Sequence, residues 1–487
     1  MSKEAYCGPL DRINDYSWRI PKSYRAGMRV DGIVYADDVL VQQVRSDQAL
    51  EQVANVAFLP GVQVASLAMP DIHWGYGFCI GGVCATDPDE DGVISPGGVG
   101  YDINCGVRLV RSKLFRRDVQ PALTRLVDEL YRQIPTGTGR GGKYRFSAVE
   151  LRRLMRDGVA YLADRGLATA GDLDHTEAHG QMPGAEPDRV SERAIERGYD
   201  QCGTLGSGNH FLEVQVVDRV FDEQAARTMG LEQDMVCVMI HSGSRGLGYQ
   251  VCDDALRMLR GAPEKYGIAL PDRQLACAPI RSPEGEHYLG AMSAAANFAW
   301  CNRQLLMWQA RECFAKVFAR PWEELGLGLV YDLAHNIAKF EEHVVAGKPK
   351  RVWVHRKGAT RAFPAGHAQT PSAYGAIGQP VIIPGDMGRA SWVLVGQPGS
   401  MEQSFGSACH GAGRLMSRTA AIKHAQGRRI DRELAERGIV ARARSWKGLA
   451  EEQSDAYKDV DQVVEVVHRA RLAKKVARMR PLGVIKG

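Results

Sequence analysis

Two rhythms of apolar residues run along this chain. Short runs rich in Val, Ile and Leu lie at 211–217 (FLEVQVV), 235–240 (MVCVMI), 327–333 (LGLVYDL), 380–383 (PVII) and 391–395 (SWVLV). Each is flanked by turn-forming residues, and they predict buried strands. Elsewhere, apolar residues spaced three and four apart predict helices over 120–133, 148–164, 287–319 and 459–479. The expected class is therefore α+β: one compact body over 1–487, of mixed β-sheets flanked by helices. The one polar seam, 171–194 (GDLDHTEAHGQMPGAEPDRVSERA), reads as a surface insertion on that body. In the last predicted helix Val463, Val467 and Ala470 form the inward stripe. Arg471, Lys475 and Arg478, at i, i+4 and i+7, form a solvated cationic face that a nucleic-acid backbone could touch.

Composition adds limits rather than identity. With 45% apolar and 24% charged residues the chain can bury a sizeable core. It has no run of about 18 apolar residues and no charged-then-apolar leader, so a cytoplasmic protein without a membrane partner is expected. Eleven cysteines stand singly with no CxxC pair, the pattern of reduced thiols used as small core residues. A net charge of +5 is too small to identify a nucleic-acid partner.

Candidate chemistry gathers at the strand ends. His210 directly precedes the run at 211, His241 directly follows the run at 235, and His335 lies two residues beyond the run at 327. One such histidine is ordinarily a satisfied polar residue; three, each next to Gly- or Asn-containing turns, point to a site, because imidazole is the commonest metal ligand. The glycine-rich stretch 97–109 (GGVGYDINCGVRL) adds Asp102 and Cys105. Together these make one carboxylate, one thiol and three imidazoles, enough for two metal ions if the thiolate bridges them.

Other signals carry less. GTGRGGK at 137–143 has P-loop spacing, but Tyr144 replaces the Ser or Thr that would hold magnesium and a helical pattern precedes it. His175, Glu177 and His179 lack the zinc-protease and deaminase patterns and read as a solvated loop. Glu341 and Glu342 read as wet surface, and adjacent Cys409 and His410 point apart. In 403–418 (QSFGSACHGAGRLMSR), His410, a Gly-Ala-Gly step, Arg414 and Arg418 read either as a cradle facing a phosphate or as a helix start with a buried histidine.

The segments GGVGYDINCGVR, GTLGSGNHFLEV, HSGSRGLG, AHNIAKFE, VWVHRKGATRAFPAG, PGDMGRASWVLVG and ACHGAGR, in that order, resemble the RtcB family of RNA-splicing ligases. The resemblance runs from MPDIHWGYGF at residue 69 to Lys486. It implies a GTP- and manganese-dependent ligase joining an RNA 3′-phosphate, or a 2′,3′-cyclic phosphate after hydrolysis, to a 5′-hydroxyl, in tRNA splicing or RNA repair. An archease-type activator is a further implied partner. His410 would be the guanylylated nucleophile, working near pH 7 without an activating base. Cys105, His241 and His335 would hold one Mn2+, and Asp102, Cys105 and His210 the other, although ligand softness alone favours zinc.

The implied GTP pocket comprises Asn209, His210, Phe211, Leu212 and Glu213, then His335 and Asn336, Pro384, Gly385, Asp386 and Met387, Ser391, His410 with Gly411, Ala412 and Gly413, and finally Tyr457 and Lys486. Asp386 departs from the Ser of many relatives. Lys486 would donate to the guanine oxygen while Glu213 accepts from its nitrogens, on a tail expected to order as GTP binds. Arg245 and Arg414 would hold RNA. The alternatives are a dinuclear phosphoesterase acting on RNA ends, which has no use for His410, and a non-catalytic RNA-binding relative, which has no use for the ligands.

Overall fold

All five apolar runs fall in one sheet. The computed structural model describes residues 5–137, 139 and 141–487. Its larger sheet runs in the order Gly328–Ala334, Gly106–Phe115, Met235–Ser242, Phe211–Val220, Ala473–Lys486, Ser391–Gly396 and Pro380–Ile383, with Val440–Ala443 pairing in parallel beside Ala473–Lys486. The five strands seen in the sequence read as apolar runs because both faces are covered. One face carries Leu212, Val214, Val236 and Val238 against Leu126, Leu130, Leu306 and Phe314 of the helices Leu123–Gln133 and Pro283–Phe318. The other carries Val107, Met239, Leu333, Val393 and Met479 against Met229, Ile430 and Leu449.

The second sheet has seven strands, ordered Asp11–Asn14, Ser17–Ile20, Asp31–Tyr35, Ala65–His73, Ile80–Thr86, Lys348–Lys357 and Asn336–Val345. None of these strands lies in the runs named from sequence. One edge, Asp11–Asn14, is exposed throughout, and the other alternates, which dilutes the apolar signal: from Glu341 to Val345 the pattern is in, out, in, out, in. That alternation corrects the expectation for one acid. Glu342 is exposed, but Glu341 is buried and accepts from both terminal nitrogens of Arg356 at 2.8 and 2.7 Å. Glu177 is likewise no part of a solvated loop. It is buried, paired with Lys339 at 2.5 Å, and accepts from the amide of Ala334 at 2.8 Å.

The largest departure lies near the C-terminus. The predicted helix 459–479 ends at Arg469; Arg471 turns with φ +61°, and Ala473–Lys486 is a strand between Phe211–Val220 and Ser391–Gly396. Lys- and Ala-rich composition imitates a helix here, but pairing on both sides overrides it. The cationic face dissolves accordingly: Lys475 pairs with Glu465, and Arg478 with Asp218 at 2.9 Å.

All eleven cysteines are free and ten are buried, as their scatter predicts. No helix of the described residues is long and apolar enough to cross a membrane. The helix Leu123–Gln133 precedes the P-loop-like segment, where a P-loop needs a strand; its Thr138 and Arg140 lie outside the described residues.

Candidate metal and nucleotide site

Sheet register gathers the strand-end residues. His241 faces Val107 on one side and Phe211 on the other, and Phe211 in turn faces Lys486. Cys105 and His210 stand one residue before their strands, so both lie at the same end of the sheet. His335 is the hinge between Gly328–Ala334 in one sheet and Asn336–Val345 in the other, and its amide donates to the Cys105 carbonyl at 2.9 Å.

The side chains converge. Cys105 Sγ is 3.3 Å from Nε2 of both His210 and His241, His241 Nε2 is 3.3 Å from His335 Nε2, and His210 Nε2 is 2.9 Å from Asp102 Oδ2. Two overlapping sets, Cys105 with His241 and His335, and Asp102 with Cys105 and His210, have ligand atoms all within 4.8 Å of one another. Close approach demands glycine in two places. A Cβ on Gly243 would sit 2.4 Å from the Asp102 oxygens, and one on Gly106 would sit 2.1 Å from the Leu333 carbonyl.

The electrostatics suit cations. Burial, and then neighbouring histidines, push His241 and His335 well below the ordinary imidazole value, so both offer lone pairs. Burial and then the Asp102 carboxylate push the Cys105 thiol up. Burial opposes ionisation of Asp102, but the His210 contact outweighs it and brings it down to about 2. The buried Nδ1 atoms of His210 and His335 have no protein partner. A carboxylate, a thiol and imidazole nitrogens converging within 4.8 Å are a donor set that fits metal ions, which would also reverse the rise of the thiol.

Support comes from behind. Arg303, on the long helix, donates to the carbonyls of Asn104 at 2.7 Å and Ser242 at 3.0 Å, and to Asp332 at 2.7 and 2.9 Å. It thereby clamps the loops of Cys105 and His241 together. The helix Arg245–Met258 starts at the cluster, with the Ser244 amide donating to Asp102 Oδ1 at 2.9 Å.

Beside this ligand cluster is a pocket of about 280 Å³. His410 enters from the end of Ser407–Cys409, its ring centroid 4.8 Å from that of His335. Its Nδ1 meets Asp71 Oδ2 at 2.5 Å, and the same oxygen accepts from the amides of His410 at 3.1 Å and Gly411 at 3.3 Å. Asp71 was not among the sequence candidates, although it stands in the MPDIH segment: a carboxylate in a strand carries no mark of the residue it meets 339 positions away. The expectation of a histidine acting without help is amended, because a carboxylate orients this ring. Lys458 in turn holds the Asp71 strand, donating to the carbonyls of Pro70 and Ile72 at 3.0 and 2.6 Å.

Most of the expected nucleotide residues line this pocket: Asn209, Phe211, Glu213, Asn336, Pro384 to Met387, Gly411 to Gly413, Tyr457 and Lys486. Leu212 does not, since strand alternation turns it to the opposite, apolar face. Ser391 lies beneath, its hydroxyl accepting from Gln215 at 3.0 Å and from the Gly385 amide at 3.3 Å. Gln215 also donates to Glu213 Oε2 at 2.7 Å, an orienting contact sequence alone did not suggest.

Burial raises Glu213 to about 7 against the pull of Gln215 and Lys486. Lys486 is lowered by burial, and its ammonium lies 3.6 Å from Glu452 and donates to the Gly208 carbonyl at 3.0 Å. It stands within the strand Ala473–Lys486, opposite Phe211, rather than on a tail beyond the sheet. Asp386 accepts from the Gly388 amide at 3.0 Å and from Ser454, and Arg389 lies 3.5 Å away, so its carboxylate chiefly braces its own turn.

Of the expected RNA contacts, Arg414 reaches the pocket but is engaged by Glu452 at 3.0 Å, the Glu451 carbonyl at 2.7 Å and Tyr457 at 3.0 Å. Arg418, on the same wall, is the more exposed cation. Arg245 lies outside the pocket lining and donates to Thr204 Oγ1 at 3.2 Å.

A carboxylate, a thiol and three imidazoles at one end of a sheet, opposite a carboxylate-held histidine, define an α+β protein with a candidate dinuclear metal centre. A family model described as tRNA-splicing ligase RtcB matches residues 52–487. The chain is 55% identical over 479 residues to the tRNA-splicing ligase RtcB of Thermococcus kodakarensis, covering 98% of this chain and 99% of that one. It is 52% identical over 438 residues to the RNA-splicing ligase RtcB of Mycobacterium tuberculosis, covering 90% and 100%. The chain belongs to the RtcB family.

Proposed function

We propose that this protein is an RNA ligase that seals a 3′-phosphate end to a 5′-hydroxyl end through a His410–GMP adduct, using GTP and two Mn2+. The supporting observation is the His410 ring. Asp71 accepts from Nδ1–H, which leaves the Nε2 lone pair free, and the ring stands against His335 of the metal cluster.

His410 Nε2 attacks the α-phosphorus of GTP; an N–P bond forms, the bond to the β-phosphate oxygen breaks, and pyrophosphate leaves. The RNA 3′-phosphate then takes GMP from His410, and the 5′-hydroxyl displaces GMP as the strand is sealed. Asp102, Cys105, His210, His241 and His335 would hold the manganese, which would supply charge neutralisation at the phosphoryl oxygens. Glu213, oriented by Gln215, accepts from the guanine nitrogens while Lys486 donates to its oxygen. Asp71 keeps the imidazole in the nucleophilic tautomer and shares the proton charge that the adduct places on the ring.

Incubation with GTP labelled at the α-phosphate and manganese, followed by RNA bearing 3′-phosphate and 5′-hydroxyl ends, tests this. Label should move from protein to RNA end to free GMP. Release of inorganic phosphate from RNA ends with no labelled protein would establish a phosphoesterase instead.

A further inference from the structure

Outside the pocket, three tyrosine rings follow one another. Tyr76 meets Tyr101 edge-on with centroids 5.7 Å apart, and Tyr101 stacks on Tyr249 at 4.7 Å and 24°. The Arg197 guanidinium lies 5.2 Å from the Tyr249 centroid and continues the series outward. We propose that unpaired nucleobases next to the reacting RNA end pack on this ladder; this rests on the reading of the protein as an RNA ligase.

Placement is the first support. Tyr101 immediately precedes Asp102. Tyr249 lies in the first turns of the helix that begins at the ligand cluster, and its ring stacks on Tyr101 beside Asp102. A strand whose end reaches Asp102 would pass Tyr101 and the Tyr249 ring stacked on it.

Exposure and charge are the second. Tyr249 remains 47% exposed. Trp74, on the loop that carries Tyr76, is 43% exposed and follows the pocket residue His73. That loop is held rigidly, because Gln52 donates to the Gly75 carbonyl at 2.7 Å and accepts from its amide at 3.0 Å. Arg197 has no carboxylate partner among the described residues and donates to Gln250 at 3.0 Å, whereas Arg245 feels the Asp102 carboxylate and donates to Thr204. Nearby Arg257, by contrast, is paired with Asp253 at 2.6 Å. Rings beside an uncompensated guanidinium are what single-stranded RNA takes: bases stack while a phosphate meets the charge.

The test uses the full chain with manganese at fixed salt. Binding of two labelled single-stranded RNA decamers, one ending in 3′-phosphate and one in 5′-hydroxyl, is measured for the unaltered protein and for Tyr249→Ala, Arg197→Ala and Tyr249→Phe. Adduct formation from GTP is followed in parallel. Both alanine variants should bind at least one decamer about 5- to 100-fold more weakly, the range one base–aromatic stack supplies, and should form the GMP adduct within about twofold of the unaltered rate. Tyr249→Phe should behave as the unaltered protein. The decamer affected identifies which end lies on the ladder. A decamer made abasic at its last two positions should bind all four proteins alike. Undiminished affinity for both decamers, or an equal loss on abasic RNA, would overturn the proposal. Absence of a GMP adduct in the unaltered protein would overturn the ligase reading and this proposal with it.

Discussion

His410 shows how much a single contact decides. Replacing it with alanine should abolish the acid-labile, alkali-stable GMP adduct while leaving metal content unchanged, which metal analysis and label retention would show together. Asp71→Ala should keep the nucleophile but free the ring, and slow adduct formation by about 100-fold or more, the scale on which loss of an orienting carboxylate acts elsewhere. Single-turnover labelling separates the two variants. Glu213 makes the pH dependence. Its carboxyl is raised from 4.5 to about 7, so between those values the folded protein holds a proton the unfolded chain has released, and this group's contribution to stability declines as pH rises through that window. Guanine N–H donors need the ionised form. GTP affinity should therefore fall by up to about tenfold per unit below pH 7, and in Glu213→Gln it should be weak and flat; titrations at several pH values would show it. At this scale the histidines were legible because they stand where apolar runs stop. Asp71, Gln215 and Arg303 were not, because their meaning lies in partners distant along the chain.

Among elements, the long helix and the strand at 473–486 do the positioning. Arg303 ties that helix to two ligand loops with a forked guanidinium that an ammonium cannot reproduce. Arg303→Lys should weaken manganese binding by about 10- to 100-fold, as loss of a supporting contact behind metal ligands does; calorimetric titration, with circular dichroism to verify folding, would show it. Unchanged affinity would mean that the loops hold themselves. Lys486→Met keeps the strand but removes the ammonium. The GTP concentration for half-maximal adduct formation should rise at least about tenfold, the equivalent of ~1.4 kcal/mol, and apo stability should change too, because Glu452 loses a buried counter-charge. Five strands announced themselves because both their faces are buried. The strand at 473–486 did not, since Lys474, Lys475 and Arg478 interrupt it and only its neighbours on either side make it β.

For the molecule as a whole, the metal cluster sits at the junction of two sheets, with His335 joining them. Metal binding should consequently stabilise the entire body, by ~2.7 kcal/mol at a hundred times the dissociation constant. In thermal melts, chelation should lower Tm by a few degrees. Cys105→Ala, which removes the ligand shared by both sets, should eliminate the manganese-dependent shift, whereas Asp102→Ala should keep part of it. The interior position of the strand at 473–486 also has a consequence for biosynthesis. Translation makes residues 211–220 and 391–396 earlier, but within this sheet they touch only through a strand made later. A nascent chain can assemble each half of the sheet as it emerges, yet cannot unite them, nor present Lys486 to a nucleotide, until that strand has cleared the ribosome. Polypeptides released before it should be unable to load GMP, so an incomplete product would pose no threat to cellular RNA.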